Sequence, residues 1–328
     1  MQIRRSIRGV ILSVILITNI LTACTGSNNP GSHEDPEITP SMETTVVVQD
    51  LPTETEPAAI PTVLQALTET FTPEPSPTPD TRPLPEDWVQ WPIIPTLSPT
   101  MVDVYLRGIE MGNDPHHFSK AGDCQNVPGM FLGLFDIPDF YTLSQSQEHL
   151  QETIDFYAGS FGRDSIAVKG GFTFPALYSP LRADPTQCGP GETPLECEIR
   201  MWDPTFLIVS MELPFSGRTS ETYEEYLTQV VEYALAHGIV PLLTTKADNI
   251  EQDHSINKSI ARVAYDYDVP MINFWLSVQG LPNRGIDPED TLFPGFHTSG
   301  AARRVRSYDV LRTLDGFFRI VRPLLPPE

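Results

Sequence analysis

The chain has 328 residues, with 43 Asp or Glu against 21 Lys or Arg, for a formal charge of −22. A surface so acidic repels phosphate backbones, and no basic patch interleaved with aromatics offsets it, so nucleic acid is excluded as an expected partner. No GxxxxGK[ST] and no GxGxxG following a strand is present, and no cluster of metal ligands is apparent, so no cofactor or metal is expected.

The N-terminus comes first in chain order. Arg4, Arg5 and Arg8 form a positive region, followed by an apolar run from Val10 to Leu21. That run is about a dozen residues, too short to span a bilayer core of roughly 30 Å as a permanent helix. It closes on Leu21-Thr22-Ala23-Cys24, a small-residue cleavage site with cysteine at the next position. This resembles a bacterial lipoprotein signal, which implies a signal peptide over 1–23, a lipid on Cys24, and an extracytoplasmic chain held to the membrane by its acyl groups.

Residues 24–100 read as a stalk. Pro, Thr, Glu and Ser dominate, as in "TPEPSPTPDTRPLPED", and from Thr25 to Thr100 the only Lys or Arg is Arg82. Proline denies such a segment its ladder hydrogen bonds, and the low apolar content leaves little to bury, so a disordered linker is expected.

Residues 101–328 are long enough for one sizeable α/β domain. Apolar runs predict strands at 102–106 (VDVYL), 165–168 (SIAV), 205–211 (TFLIVSM), 239–245 (IVPLLTT) and 269–275 (VPMINFW). Amphipathic spacing predicts helices at 146–158, 219–238, 255–268 and after Thr298. The "NDPHHF" segment holding His116 and His117 reads as a surface turn, and "KADN" at 246–249 as a solvated loop. Strands with few charges alternating with helices predict a three-layer α/β/α sandwich on a mostly parallel sheet of about five strands. Sites in such sheets gather at the carboxyl ends of the strands.

Cys188 and Cys197 bracket "GPGETPLE", whose Gly and Pro residues let the chain double back, so these two are expected to pair in an oxidising compartment. A zinc site lacks CxxC spacing and a nearby His. That leaves Cys124 as the one thiol without an assignment.

The motifs at the strand ends supply one. "FSKAGDC" (118–124) resembles the first block of the SGNH, or GDSL-type, hydrolases; "TFLIVSM" resembles the third block, and "FPGFHTSGA" (293–301) the last. The resemblance covers most of 118–302 in the right order. It implies that Cys124 stands at the nucleophile position, after Gly122 and Asp123, and that His297 is the general base. A thiolate is a stronger nucleophile than an alcohol, and a neighbouring imidazole lowers its pKa.

The sequence also departs from the family pattern. The aspartate three residues before the histidine is replaced by Pro294, leaving Asp287, Glu289 or Asp290 as carboxylates that could fold back. Gly170 or Gly171 can supply one oxyanion donor. The third block reads "SMELPF", with Glu212 where an oxyanion-stabilising Asn is expected. Losing one such donor costs about 2.7–4 kcal/mol of transition-state stabilisation. Three readings follow: a catalytically impaired SGNH-like lipoprotein that binds a glycan or partner in the ancestral cleft; an active Cys–His esterase acting on acyl or acetyl groups of a surface carbohydrate; and a structural surface lipoprotein.

Overall fold

The computed structural model describes residues 80–211 and 219–326. Cys24, the expected signal peptide and most of the expected linker lie outside the described residues, as does Glu212. A compact unit begins at Thr81. That is earlier than the boundary expected at 101, because "EDWVQWPII" is part of the fold. A 3-10 turn over Pro85–Gln90 buries Trp88, which is 2% exposed and sits against the Trp275 ring. The Asn273 amide donates to the Trp88 and Trp91 carbonyls.

Twelve elements follow: α1 (Pro99–Met111), β1 (Asp114–Gly122), α2 (Leu150–Phe156), α3 (Phe174–Leu177), α4 (Pro194–Trp202), β2 (Pro204–Ser210), α5 (Ser220–Ala236), β3 (Val240–Thr244), α6 (Ser255–Asp266), β4 (Met271–Ile272), α7 (Phe274–Val278) and α8 (Gly300–Val321). The sheet has four strands in the order β1-β2-β3-β4, all parallel. Every residue of β2 and β3 is buried, as a sheet covered on both faces requires. Successive side chains point to opposite faces. Phe118 on β1 meets Tyr157, just past α2, while the next residue, Ser119, hydrogen-bonds Glu198 of α4. Phe206 on β2 lies against Tyr105 of α1 and Phe317 of α8. Helices therefore cover both faces, and the class is α/β with a parallel sheet, as expected.

Several boundaries differ from the sequence reading. Residues 102–106 are helical: Ser98 caps α1 by accepting from the Met101 amide, Pro99 fits its first turn, and Met101, Val104, Tyr105 and Gly108 form its buried face. The apolar run was short enough to suit either period, and the cap decides it.

The expected strand at 165–168 shrinks to one bridge, Gly122 to Val168, beside β1 on the side away from β2. Side chains take the places of its ladder. Ser165 Oγ donates to the Lys120 carbonyl and accepts from the Ala167 amide, and the Glu198 carboxylate accepts from the Ile166 amide.

The 269–275 run gives a two-residue strand, because Asn273 accepts from the Leu276 amide and starts α7. "NDPHHF" runs into β1 and is not a surface turn. His116 Nδ1 lies 2.9 Å from the Phe156 carbonyl, and His117 stacks on Trp202 with ring centroids 3.9 Å apart.

"KADN" is not a solvated loop. Lys246 is 1% and Asp248 2% exposed, and Lys246 Nζ lies 2.8 Å from Asp248 and 2.6 Å from Glu251. Two carboxylates let the loop bury its ammonium. Burial raises the Asp248 carboxyl to about 6 against the pull of Lys246. The expected Cys188–Cys197 disulfide is present, with Cα atoms 5.3 Å apart. Among the described residues, no helix is long and apolar enough to cross a membrane.

Candidate active site

The end of β1 requires a glycine. A Cβ on Gly122 would fall 2.4 Å from the Ser210 carbonyl oxygen and 2.2 Å from the Asn126 amide nitrogen, so no other residue fits without moving the neighbouring strand. Asp123 then turns the chain. Fully buried, it caps the 3-10 turn Cys124–Asn126 by accepting from the Gln125 amide at 3.0 Å. Asp123 thus shapes the turn, and Cys124 emerges half-buried at its start, at the carboxyl end of β1. The neighbours of β1 come from different parts of the chain, the single bridge at Val168 on one side and β2 on the other, which is where open α/β sheets form crevices.

His297 arrives on a closed loop. An antiparallel bridge joins Ile286 to Thr298, the Asp287 amide donates to the His297 carbonyl at 2.9 Å, and the Ser299 amide to the Gly285 carbonyl at 2.8 Å. Cys124 Sγ lies 3.6 Å from His297 Nε2, within reach of a sulfur hydrogen bond. On the other side of the ring, Nδ1 is 2.6 Å from Asp290 Oδ2.

Asp290 therefore reaches the imidazole where Pro294 has no carboxylate to offer, from seven residues before the histidine. Its other oxygen accepts from the Leu292 and Phe293 amides at 3.0 and 3.1 Å, so the loop it closes also aims it. Partial burial pushes its carboxyl upward. Hydrogen bonds from the Phe293 amide, His297 and the Leu292 amide outweigh that and hold it below the usual carboxylate range. An ionised Asp290 fixes the proton on Nδ1 and leaves Nε2 to accept from the thiol. Asp287 and Glu289 do not take this position: the Asp287 carboxylate accepts from the Glu289 amide.

Sequence reasoning missed the residues that join the two loops. Gln125 Oε1 accepts from both the amide and the hydroxyl of Thr298, at 2.9 and 2.8 Å, tying the residue after Cys124 to the residue after His297. Asn126 donates to the Ser210 carbonyl at 2.7 Å. Arg306 of α8, 1% exposed, donates to the Gln125 carbonyl, the Asn126 side chain and Ser210 Oγ, and lies over the Phe131 ring. A buried guanidinium needs several acceptors, and these come from two distant strand ends; with five arginines on α8, the sequence does not single out Arg306.

Of the two glycines considered for the oxyanion, Gly170 stands against Cys124: a Cβ placed on it would be 3.8 Å from Cys124 Cβ. Gly171 has φ +77° and serves the turn in which the Phe172 amide donates to the Lys169 carbonyl. Among the described residues, one grouping offers three metal-binding side chains, Cys188, Glu192 and Cys197, and both of its sulfurs are in the disulfide.

No protein-family model matches the chain, and no curated protein is matched by its sequence. Solved structures similar to it include a GDSL-like lipase from Bacteroides thetaiotaomicron (13% identity, TM-score 0.41, 66% of this chain and 98% of that one). A second GDSL-like lipase, from Parabacteroides merdae, shows 12% identity and a TM-score of 0.44 over 63% of this chain and 99% of that one. A psychrotrophic esterase from Pseudoalteromonas sp. shows 13% identity and a TM-score of 0.41 over 62% and 99%.

Proposed function

We propose that the chain is a cysteine-nucleophile acyl hydrolase of SGNH type that cleaves a carboxylic ester. The observation that carries this reading is the line Cys124 Sγ, His297 ring, Asp290 carboxylate, at 3.6 and 2.6 Å. His297 Nε2 takes the thiol proton as Sγ attacks the ester carbonyl. The tetrahedral oxyanion forms beside the Gly170 backbone, and its collapse expels the alcohol, which takes the proton from His297. Water then attacks the thioester, giving its proton to the imidazole and releasing the carboxylic acid and the thiol. The acyl or acetyl ester of a surface carbohydrate remains the proposed substrate. A lipid on Cys24 would hold the enzyme outside the cytoplasm, where the Cys188–Cys197 disulfide is at home.

The test is the alkylation rate of Cys124 by iodoacetamide against pH, with and without His297→Ala. A working pair gives a midpoint below the free-thiol value of about 8.5 that rises in the variant. A thiol titrating at or above that value, indifferent to His297, would sink the hydrolase reading. A second reading, binding of a glycan or partner without turnover, is favoured by Ser210-Met211-Glu212, where the sequence offers neither Gly nor Asn as a further oxyanion donor. It is distinguished by ligand binding that survives Cys124→Ala while no ester is cleaved.

A further inference from the structure

Apart from the Cys124 turn, the described residues enclose a groove of about 1,050 Å³ between the 128–140 segment, the 158–163 turn and the first turns of α8. That volume is at the upper end of the range of roughly 300–1,000 Å³ found for small-molecule sites. Four of its apolar side chains are Met130, Leu134, Ile137 and Phe140, and three of them are unusually open: Met130 is 39%, Ile137 44% and Phe140 67% exposed. Apolar side chains left to solvent in one concave patch mark a binding surface more often than chance exposure does.

The charges along the groove are unequal. Arg163 is already paired with Glu198 and lies over the Trp202 ring. The Asp136 carboxylate is occupied by the Gly159 and Gly162 amides. Arg303 and Arg304 have no ion-pair partner among the described residues. They stand in the opening turns of a 22-residue helix that has no acidic residue in its first turn. Cations there oppose the helix dipole, so helix stability does not account for them. Nor does composition: the chain as a whole carries −22. Two unpaired guanidiniums at the positive end of a helix make a local anion-attracting field on an otherwise repelling surface.

We infer that this groove binds an alkyl anion, with the chain laid along Met130, Leu134, Ile137 and Phe140 and an acidic head, carboxylate or phosphate monoester, on Arg303 and Arg304. The inference stands on the groove and its charges and does not require Cys124 to be active.

Calorimetric titration of the full chain with octanoate, decanoate and dodecanoate, each below its micelle concentration, tests it. Burial of each CH₂ is expected to tighten binding about fourfold, so each step of two carbons gains about fifteenfold while the groove has room. The double variant Arg303→Gln, Arg304→Gln should weaken decanoate at least tenfold and leave octanol binding unchanged. Ile137→Asp, at a position 44% exposed, should weaken both. Decyl phosphate beside decanoate identifies the head: whichever binds tighter is the head the two arginines select. Absence of saturable binding at millimolar concentration would overturn the inference. So would an affinity indifferent to chain length, or decanoate binding unmoved by the arginine variant.

Discussion

Asp290→Asn isolates the contribution of the carboxylate that the sequence pattern lacks at Pro294. An asparagine can keep its carbonyl oxygen on the Leu292 and Phe293 amides, so the loop is expected to survive. What changes is the atom facing His297 Nδ1, now 2.6 Å from a carboxylate oxygen. An amide NH₂ there favours the tautomer with its proton on Nε2, which points at Cys124 and cannot accept from it. A hydrogen bond to a charged group is worth about 1.5–3 kcal/mol, and one pKa unit corresponds to about 1.36 kcal/mol, so loss of this bond should move the thiol midpoint up by about one to two units. The His297 side chain is 25% exposed and Asp290 11%, and solvent screening of the imidazolium places the shift nearer one unit. Alkylation of Cys124 against pH reads the midpoint directly. Its plateau is the poorer readout, because a thiolate of lower pKa is also intrinsically less nucleophilic. A midpoint the same in Asp290→Asn and the parent chain would refute the triad, whatever His297 does.

Gln125→Ala should cost stability of about 1–3 kcal/mol by leaving the Thr298 amide and hydroxyl without their acceptor. Because it frees the His297 loop from the Cys124 turn, it should also raise the alkylation midpoint, which a purely structural role would not do; denaturant unfolding and the pH profile separate the two effects. Lys246→Met strands Asp248 and Glu251 in the interior and is expected to cost about 3–5 kcal/mol, the range for breaking a buried ion pair; a loss under about 1 kcal/mol in urea unfolding would contradict that burial. Lys120 is 1% exposed, and burial, reinforced by repulsion from Arg163, lowers its ammonium to about 8. The unfolded chain keeps that proton to about 10.5, so it binds more protons than the folded chain between those values, and stability should climb with pH from about 8 toward 10. Unfolding midpoints across that interval should show a rise that Lys120→Met abolishes.

The strands with an unbroken apolar run, β2 and β3, were legible because burial on both faces leaves no polar alternative. Helices with a hydroxyl cap and a glycine stop were legible for similar reasons: α5 begins at the Thr219 cap and ends before Gly238. The errors fall where tertiary contacts decide between local options. Residues 165–168 have the composition of a strand, yet Ser165 and Glu198 take up the backbone groups a neighbour would use. "KADN" looks solvated until Glu251, five residues beyond Lys246, supplies the second counter-ion.

The site divides in the same way. Cys124 and His297 could be read from their motifs, because a Gly-Asp turn and a histidine before a helix are local patterns. Asp290 could only be shortlisted with Asp287 and Glu289, since choosing among them depends on how the 286–298 loop closes. Gln125 and Arg306 act across 173 and up to 181 residues of chain, and nothing local marks the contact.

The most direct test of the account is to mix the chain with p-nitrophenyl acetate and follow both nitrophenol release and the intact mass. The account predicts an acetyl group on Cys124, formed at about one equivalent per chain and then lost to water, with both signals absent in Cys124→Ala. Nitrophenol release equal in the parent and the variant, or no acylation of Cys124 at all, would contradict it.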